Sequence, residues 1–375
     1  MLAVGLMSGT SLDGVDAALV EINGLDESTR VSLKAFDTYP FTARLKALIA
    51  KSLNNETATL EEICSLNFAL GKVFADAVLT LCQSVEINSS DLDFVASHGQ
   101  TIYHLPLPPV DEVASTLQIG NPAVISELTH TTVISDFRSR DMAVGGLGAP
   151  IVPYSEYVLY RSETKTRLLQ NIGGIGNVTI IPRQAKLTDL LAFDTGPGNM
   201  VIDEFCRRYF DQEYDHNGQH AAQGQVNQTV LAALLEDDYF KQMPPKTTGR
   251  ERFGKQYVEL LEQRFQLAPN DWIATATELT AQTIADAVRP FCQGTTEMIV
   301  GGGGRYNPTL MARIQTLLQE ATVMRQEELG LRSDAKEAIA MVVLGNQTLN
   351  HRPSNVPSAT GAKRSVILGS ITDYD

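Results

Sequence analysis

Cysteine is scarce in this chain: Cys64, Cys82, Cys206 and Cys292 lie far apart in 375 residues, with no C-x-x-C pair among them. That spacing argues against a disulfide framework or a zinc site and fits reduced thiols. Basic residues are also in deficit, 30 Lys and Arg against 44 Asp and Glu, for a formal net charge of −14. Nucleic acid and anionic membrane are therefore poor partners, and an anionic substrate needs a local basic site. No stretch approaches the ~18–20 apolar residues needed to span a bilayer. The N-terminus has no basic leader, and Ser8-Gly9-Thr10 interrupts its apolar run, so no signal peptide is expected. A soluble, cytoplasmic protein is the expectation. Two nucleotide signatures are missing as well. The absence of G-x-x-x-x-G-K-S/T disfavours a P-loop NTPase. No G-x-G-x-x-G stands between strand and helix with a downstream acid, which disfavours a dinucleotide fold.

Glycine, small hydroxyls and aspartate are present where they carry information. Leu2-Ala3-Val4-Gly5-Leu6 and Ala17-Ala18-Leu19-Val20-Glu21-Ile22 read as paired strands, joined through Ser8-Gly9-Thr10-Ser11-Leu12-Asp13-Gly14-Val15-Asp16. Glycines there let backbone N–H groups approach an anion, hydroxyls add donors, and carboxylates suit a hydrated Mg²⁺. An ordinary hairpin with a polar tip is the plain alternative. Further glycine-rich turns stand at strand ends, at Gly173–Gly176 with Asp194–Asn199 and at Gly301–Gly304. Doubly wound sheets place ligands outside the carboxyl ends of their strands.

The length suffices for two domains, since single cores stop growing near ~250–300 residues. Helical periodicity marks Arg44–Leu53 and Leu60–Leu81, the latter opened by the capping box Thr59-Leu60-Glu61-Glu62. Strands are expected at Leu92–Ala96, Leu117–Ile119, Thr131–Ser135, Arg167–Ile172, Asn177–Ile181, Leu190–Phe193, Glu297–Val300 and Ala321–Arg325. Later helices are expected at Val226–Leu235, Lys255–Phe265, Glu278–Phe291 and Pro308–Leu318, with a capped one from Ser333. The Gly- and Pro-rich stretch from Asp141 marks a domain boundary. Strand–turn–strand starts followed by βα units occur once in each half, as in a duplicated α/β domain.

Asp194 has the setting of a general base, ending an apolar strand just before a helix N-terminus; a helix cap is the equal alternative. Arg138, in Asp136-Phe137-Arg138-Ser139-Arg140-Asp141, suits a carboxylate or phosphate clamp, or else a local ion pair. His216 and His220 lack the intervening Glu of a metalloprotease motif.

Taken together, Ser8–Asp16, Ser97–His104, Asp136–Pro153, Asn171–Asn177, Phe193–Asn199, Thr248–Gly254, Gly301–Met311 and Ala359–Ala362 resemble the anhydro-N-acetylmuramic acid kinases. These belong to the acetate and sugar kinase, Hsp70 and actin superfamily. The resemblance implies an α/β fold of two RNase H-like (actin-like ATPase) domains with an interdomain cleft. Residues 1–140 would carry the phosphate loop, open to completion by the C-terminal segment, and residues 141–375 the catalytic aspartate and an adenosine-binding turn. It further implies ATP and Mg²⁺ as cofactors, a homodimer, and a role in peptidoglycan recycling. The reaction would hydrolyse the 1,6-anhydro ring and phosphorylate the released O6; a conventional kinase for another amino sugar is the alternative. By the same resemblance, Gly9, Thr10, Ser11, Leu12, Asp13, Gly14, Val15 and Asp16 meet the ATP phosphates. Gly174, Gly196, Gly302, Gly303 and Asn307 complete the nucleotide site, and Asp13 or Asp16 holds the metal through water. Gln100, Thr101 and Arg138 contact the sugar, Asp194 is the base, and Glu328 stands near the attacking water.

Overall fold

The computed structural model describes residues 1–9, 12–244, 246–330 and 332–375. The chain divides into two compact units, Met1–Leu159 with Asp334–Asp375, and Tyr160–Ser333. In chain order the first unit contributes β1 (Leu2–Ser8), β2 (Gly14–Asn23), β3 (Arg30–Pro40), β4 (Phe94–Leu105), β5 (Ser115–Ile119) and β6 (Val133–Ser135). The second contributes β7 (Thr166–Ile172), β8 (Ile175–Ile181), β9 (Leu191–Pro197), β10 (Thr296–Gly301) and β11 (Thr322–Arg325). The chain then returns to the first unit for β12 (Ser370–Thr372).

The first sheet runs β12-β6-β4-β1-β2-β3, with β5 paired to β4, and the second runs β11-β10-β7-β8-β9. Each contains an antiparallel meander of three strands whose first member pairs in parallel with the fourth. A further parallel strand follows, β6 beside β4 and β11 beside β10. This shared order is the RNase H-like arrangement, present once in each unit. The sequence reading missed β3, where no residue is buried, half-buried and exposed positions alternate, and charged residues interrupt the apolar pattern.

Central strands are buried on both faces. Along β1, Val4 and Leu6 face a core shared with Leu70, Phe74, Ala77, Val78 and Leu81 of the helix Leu60–Ser84. Gly5, one residue out of phase, faces the helix Lys336–Leu349 so closely that a Cβ there would lie 1.9 Å from the Ala338 carbonyl oxygen. Side-chain alternation thus explains how one strand packs against a helix on each side. The helix Leu60–Ser84 is long and apolar enough to cross a membrane by length and composition. Counting consecutive apolar residues overlooked it, because Lys72 and Asp76 break the run. Its packed stripe nevertheless belongs to the core of the first unit. Thr59 Oγ1 accepts from the Glu62 amide, but the Glu62 carboxylate goes to Lys51, so only half of the expected capping box forms.

In the second unit, Leu168, Ile172, Val178, Ile180, Phe193, Met298 and Val300 pack on Ile284 and Val288 from one helix and Leu310 and Ile314 from another. The first of these helices spans Pro269–Val288, starting nine residues before the expected Glu278 because Pro269 sits at its first turn. The last long helix starts at Lys336 with Ala335 as an uncapped N-cap, rather than as a capped helix from Ser333.

The division between units falls after Leu159, not at Asp141. Asp141 explains the difference. Its buried carboxylate accepts from Asn355 Nδ2 (2.7 Å), Thr360 Oγ1 (2.9 Å) and the Gly148 amide (2.9 Å). The Gly-rich turn is thereby tied to the C-terminal segment inside the first unit. The helix Pro153–Tyr160 follows suit through the Lys336–Glu156 ion pair.

Candidate functional site

In the first unit, the candidate groups gather at the carboxyl ends of the parallel strands β1, β4 and β6. Gly9 leaves β1, Gln100 lies opposite Ser8 on β4, and Arg138 follows β6. Thr10 and Ser11 lie outside the described residues. Leu12 adopts φ +59°, and the Asp13 carbonyl accepts from the Phe41 amide. Gly14 opens β2 where a Cβ would meet the Tyr39 carbonyl oxygen at 2.2 Å, and Val15 is a core residue. These two positions shape the loop through close backbone packing and core burial.

The two loop aspartates differ in their surroundings. Asp13 is exposed and lies 3.8 Å from Lys46 Nζ. Asp16 accepts from Thr38 Oγ1 (2.6 Å). Burial pushes its carboxyl above the usual aspartate range; Thr38 works against this, and the charges of Asp334 and Asp13 add to it. Among the described residues, no group of three or more His, Cys, Asp or Glu side chains forms a metal cage. A divalent cation here would be held by one carboxylate and otherwise by water and phosphate, the usual magnesium arrangement.

Gln100 is fully buried, with Oε1 2.6 Å from Ser8 Oγ and Nε2 3.5 Å from the Gly9 carbonyl oxygen. Its amide braces the loop. Thr101 Oγ1 accepts from Gln118 Nε2. Arg138 does not form the local ion pair that its neighbours Asp136 and Asp141 offered. Asp136 takes Ser139 Oγ, and Asp141 holds the C-terminal segment. Arg138 instead donates to His98 Nε2 and to the Gly148 carbonyl oxygen. Near it stands Glu337, which the sequence reading passed over. Desolvation raises the Glu337 carboxyl although its side chain reaches solvent; Lys336 and Arg138 lower it, while Asp16 and Glu156 raise it.

The second unit holds Asp194. It lies within β9 opposite Asn177, where Thr195 bulges out of register. Its carboxylate does not cap the following helix, Met200–Phe210, whose N-cap Asn199 makes no side-chain cap bond either. Asp194 Oδ2 accepts from Thr247 Oγ1 and from the Thr248 amide, both at 2.9 Å. Oδ1 takes no hydrogen bond from the described residues, and the Thr248 hydroxyl beside it is buried without a partner. A carboxylate fixed by one oxygen and open at the other is a geometry for accepting a proton. No sequence pattern links Thr247 to Asp194, because a long-range backbone contact, Asp194 N to the Lys246 carbonyl oxygen, brings them together.

The turn Gly173–Gly174 is clasped by the segment after β9: the Gly198 and Met200 amides donate to Gly174 and the Asn199 amide donates to Gly173. Gly196 has φ +142°, and a Cβ would lie 2.9 Å from Phe240. Gly302 has φ +77°, and a Cβ would lie 2.6 Å from both Asn171 Oδ1 and the Ile172 carbonyl oxygen. Exposed Gly303 and buried Asn307 border a recess of about 610 Å³, together with Asp203, Tyr214, His216 and Tyr306. Its volume lies in the range of small-molecule sites. Asn307 Oδ1 caps the helix Pro308–Leu317 by accepting from the Leu310 amide, so this atom serves the fold. Asp203 was not anticipated; burial, with help from Glu213 and Asp215 and against Arg207, pushes its carboxyl up to about 7. His220 is a core residue stacked 3.8 Å from Phe210, its ring nitrogens meeting Asn270 Oδ1 and Gln212 Oε1.

Glu328 stands elsewhere. It follows β11, whereas Asp194 is on β9, so they occupy opposite edges of the five-stranded sheet. Four strand spacings, about 19 Å, separate those edges. The Glu328 carboxylate caps its own turn by accepting from the Arg325 amide.

A family model described as anhydro-N-acetylmuramic acid kinase matches residues 1–374. The chain is 50% identical over 379 residues to a Bacillus cereus protein named anhydro-N-acetylmuramic acid kinase, covering 99% of each. A Clostridioides difficile protein of the same name is 49% identical, covering 99% of this chain and 98% of its own. One from Caldanaerobacter subterraneus is 47% identical, covering 99% and 96%.

Proposed function

The chain belongs to the anhydro-N-acetylmuramic acid kinase family, and from that premise we propose that it opens the 1,6-anhydro ring of anhydro-N-acetylmuramate with water and transfers the γ-phosphoryl group of ATP to O6. The products are N-acetylmuramate 6-phosphate and ADP, an outcome that serves the recycling of peptidoglycan sugars.

The observation that carries the mechanism is the half-occupied carboxylate of Asp194. With Oδ2 held by Thr247 and Thr248, Oδ1 takes a proton from water as the water oxygen bonds to C1. The C1–O6 bond breaks, its electron pair passing to O6. O6 bonds to the γ-phosphorus, and the bond from that phosphorus to the β,γ-bridging oxygen breaks, leaving ADP. An alkoxide at O6 is a poor leaving group by itself, and phosphoryl transfer quenches its charge as it forms.

The backbone at Gly9 and at Leu12–Gly14 receives the phosphates, with Gln100 and Ser8 bracing Gly9. The recess beside Gly303, Asn307 and Asp203 receives the nucleoside. Asp16 fits a magnesium ion better than Asp13, because burial first, and the charges of Asp334 and Asp13 in addition, raise its carboxyl, and a cation would offset the cost of ionising it. Bound there with ATP, magnesium would neutralise charge on the β- and γ-phosphates. Arg138 receives the sugar's carboxylate. Glu337, which faces Arg138, replaces Glu328 as the second carboxylate of interest, since Glu328 is engaged as a cap at the far edge from Asp194.

Mass analysis of the product formed from ATP, Mg²⁺ and anhydro-N-acetylmuramate in ¹⁸O-water tests this reading. A gain of both water and a phosphoryl group, with the label at C1, is expected. A gain of the phosphoryl group alone identifies a conventional sugar kinase and refutes ring opening.

A further inference from the structure

Arg138 is a half-buried guanidinium whose hydrogen-bond partners are all uncharged. Nε (3.0 Å) and Nη2 (2.8 Å) both meet His98 Nε2, and Nη1 donates to the Gly148 carbonyl oxygen (2.7 Å). A buried arginine ordinarily finds a carboxylate. Here burial lowers the guanidinium pKa, and Glu337 opposes that only through space.

His98 is held in one state. It is 4% exposed, and its Nδ1 lies 2.8 Å from the Gly99 carbonyl oxygen. A carbonyl only accepts, so Nδ1 carries the hydrogen and Nε2 presents a bare lone pair to Arg138. Burial first, and the Arg138 charge second, push the imidazole down to about 3, so the ring is neutral at any working pH.

Guanidinium has five N–H donors in a fixed fork. His98 closes the side of the fork, where Nε and Nη2 point together, and Gly148 takes one hydrogen of Nη1. One donor remains on each Nη nitrogen. Two such donors match the oxygens of a carboxylate, and among the described residues no carboxylate hydrogen-bonds to the guanidinium, Glu337 acting on it only through space.

We propose that His98 is a positioning residue that orients Arg138 without neutralising it, so that the pair accepts the free lactyl carboxylate of the sugar and discriminates against its neutral carboxamide. The inference rests on the reading above, in which Arg138 binds the sugar. A carboxylate at position 98 would hold the guanidinium as firmly but cancel its charge; an amide would hold it and leave the charge intact.

Steady-state kinetics with anhydro-N-acetylmuramate and its carboxamide, at saturating ATP, provide the test. The wild type is expected to prefer the acid. His98→Leu and His98→Glu should raise KM for the acid at least tenfold, with KM for the carboxamide and for ATP within twofold of wild type. His98→Gln should restore the preference. If His98→Leu does not fold, the contrast between His98→Glu and His98→Gln decides the matter. Undiminished preference in His98→Glu, or equal losses on both sugars and on ATP, overturns the positioning role. Arg138→Ala separates the two levels: an unchanged KM for the acid removes Arg138 from the sugar site altogether. An effect of Arg138→Ala with none at His98 overturns the present inference alone.

Discussion

A buried, neutral histidine should make the protein sensitive to mild acid, and His98→Gln should remove that sensitivity. In the unfolded chain the imidazole titrates near ~6.5. In the folded chain it is pushed down to about 3 by burial and by Arg138. Below the unfolded value the unfolded chain binds a proton that the folded chain refuses, so stability falls as pH drops from ~6.5 towards the folded value. Above pH ~7 neither state is protonated and the term vanishes. At pH 5 the gap is 1.5 pH units below the unfolded value, which at ~1.4 kcal/mol per unit amounts to about 2 kcal/mol. Glutamine keeps an acceptor for Arg138 but does not titrate. Urea unfolding of both proteins at pH 7 and pH 5 gives the comparison, and subtracting one pair from the other cancels the carboxylates common to both. Far-ultraviolet circular dichroism is the suitable probe, because the single tryptophan, Trp272, lies in the other unit. Wild type should lose about 2 kcal/mol more than His98→Gln over this range. Equal losses, to within about 0.5 kcal/mol, would show that the ring is not held neutral and that its lone pair does not face Arg138.

Two further outcomes are expected. Asp194→Asn should lower kcat by ~10²–10⁴ with an unchanged melting temperature, because the amide oxygen can still accept from Thr247 and Thr248 while the open position loses its basic lone pair; kcat within tenfold of wild type removes Asp194 as the base. Asp203→Asn should gain stability on the wild type as pH rises from 4 to 7, because the raised aspartate is neutral in the fold while the unfolded chain is already ionised. After discounting for its partial exposure the gain is about 2 kcal/mol, and parallel pH profiles of thermal unfolding would refute it.

Much of the fold was legible from local pattern. The strands at Leu2–Leu6 and Ala17–Ile22, the helices from Ala43 and Leu60, and the turns at Gly173 and Gly301 all follow from periodicity and glycine placement. The misses share a cause. β3 is amphipathic only weakly and is fixed by pairing with β2 along its whole length. β4 continues through Ser97–Leu105, and β9 through Asp194–Pro197, because neighbouring strands extend ladders that polar and glycine residues would otherwise end. The sequence nearest Asp194 allowed a general base and a helix cap equally, whereas its carboxylate's hydrogen bonds come from residues more than fifty positions away.

The family and the reaction class were determined by the sequence alone, which also nominated the candidate residues, since glycine-rich turns, the aspartate after an apolar strand and the order of the motifs are local or serial properties. The tertiary structure decided which charged groups stand together. It joined His98 to Arg138, set Glu337 near that pair, left Glu328 at the opposite sheet edge from Asp194, and returned Asp334–Asp375 to the first unit through Asp141. Charge, burial and hydrogen-bond partnership depend on distances between residues far apart in the chain, and those distances exist only once the sheets have formed.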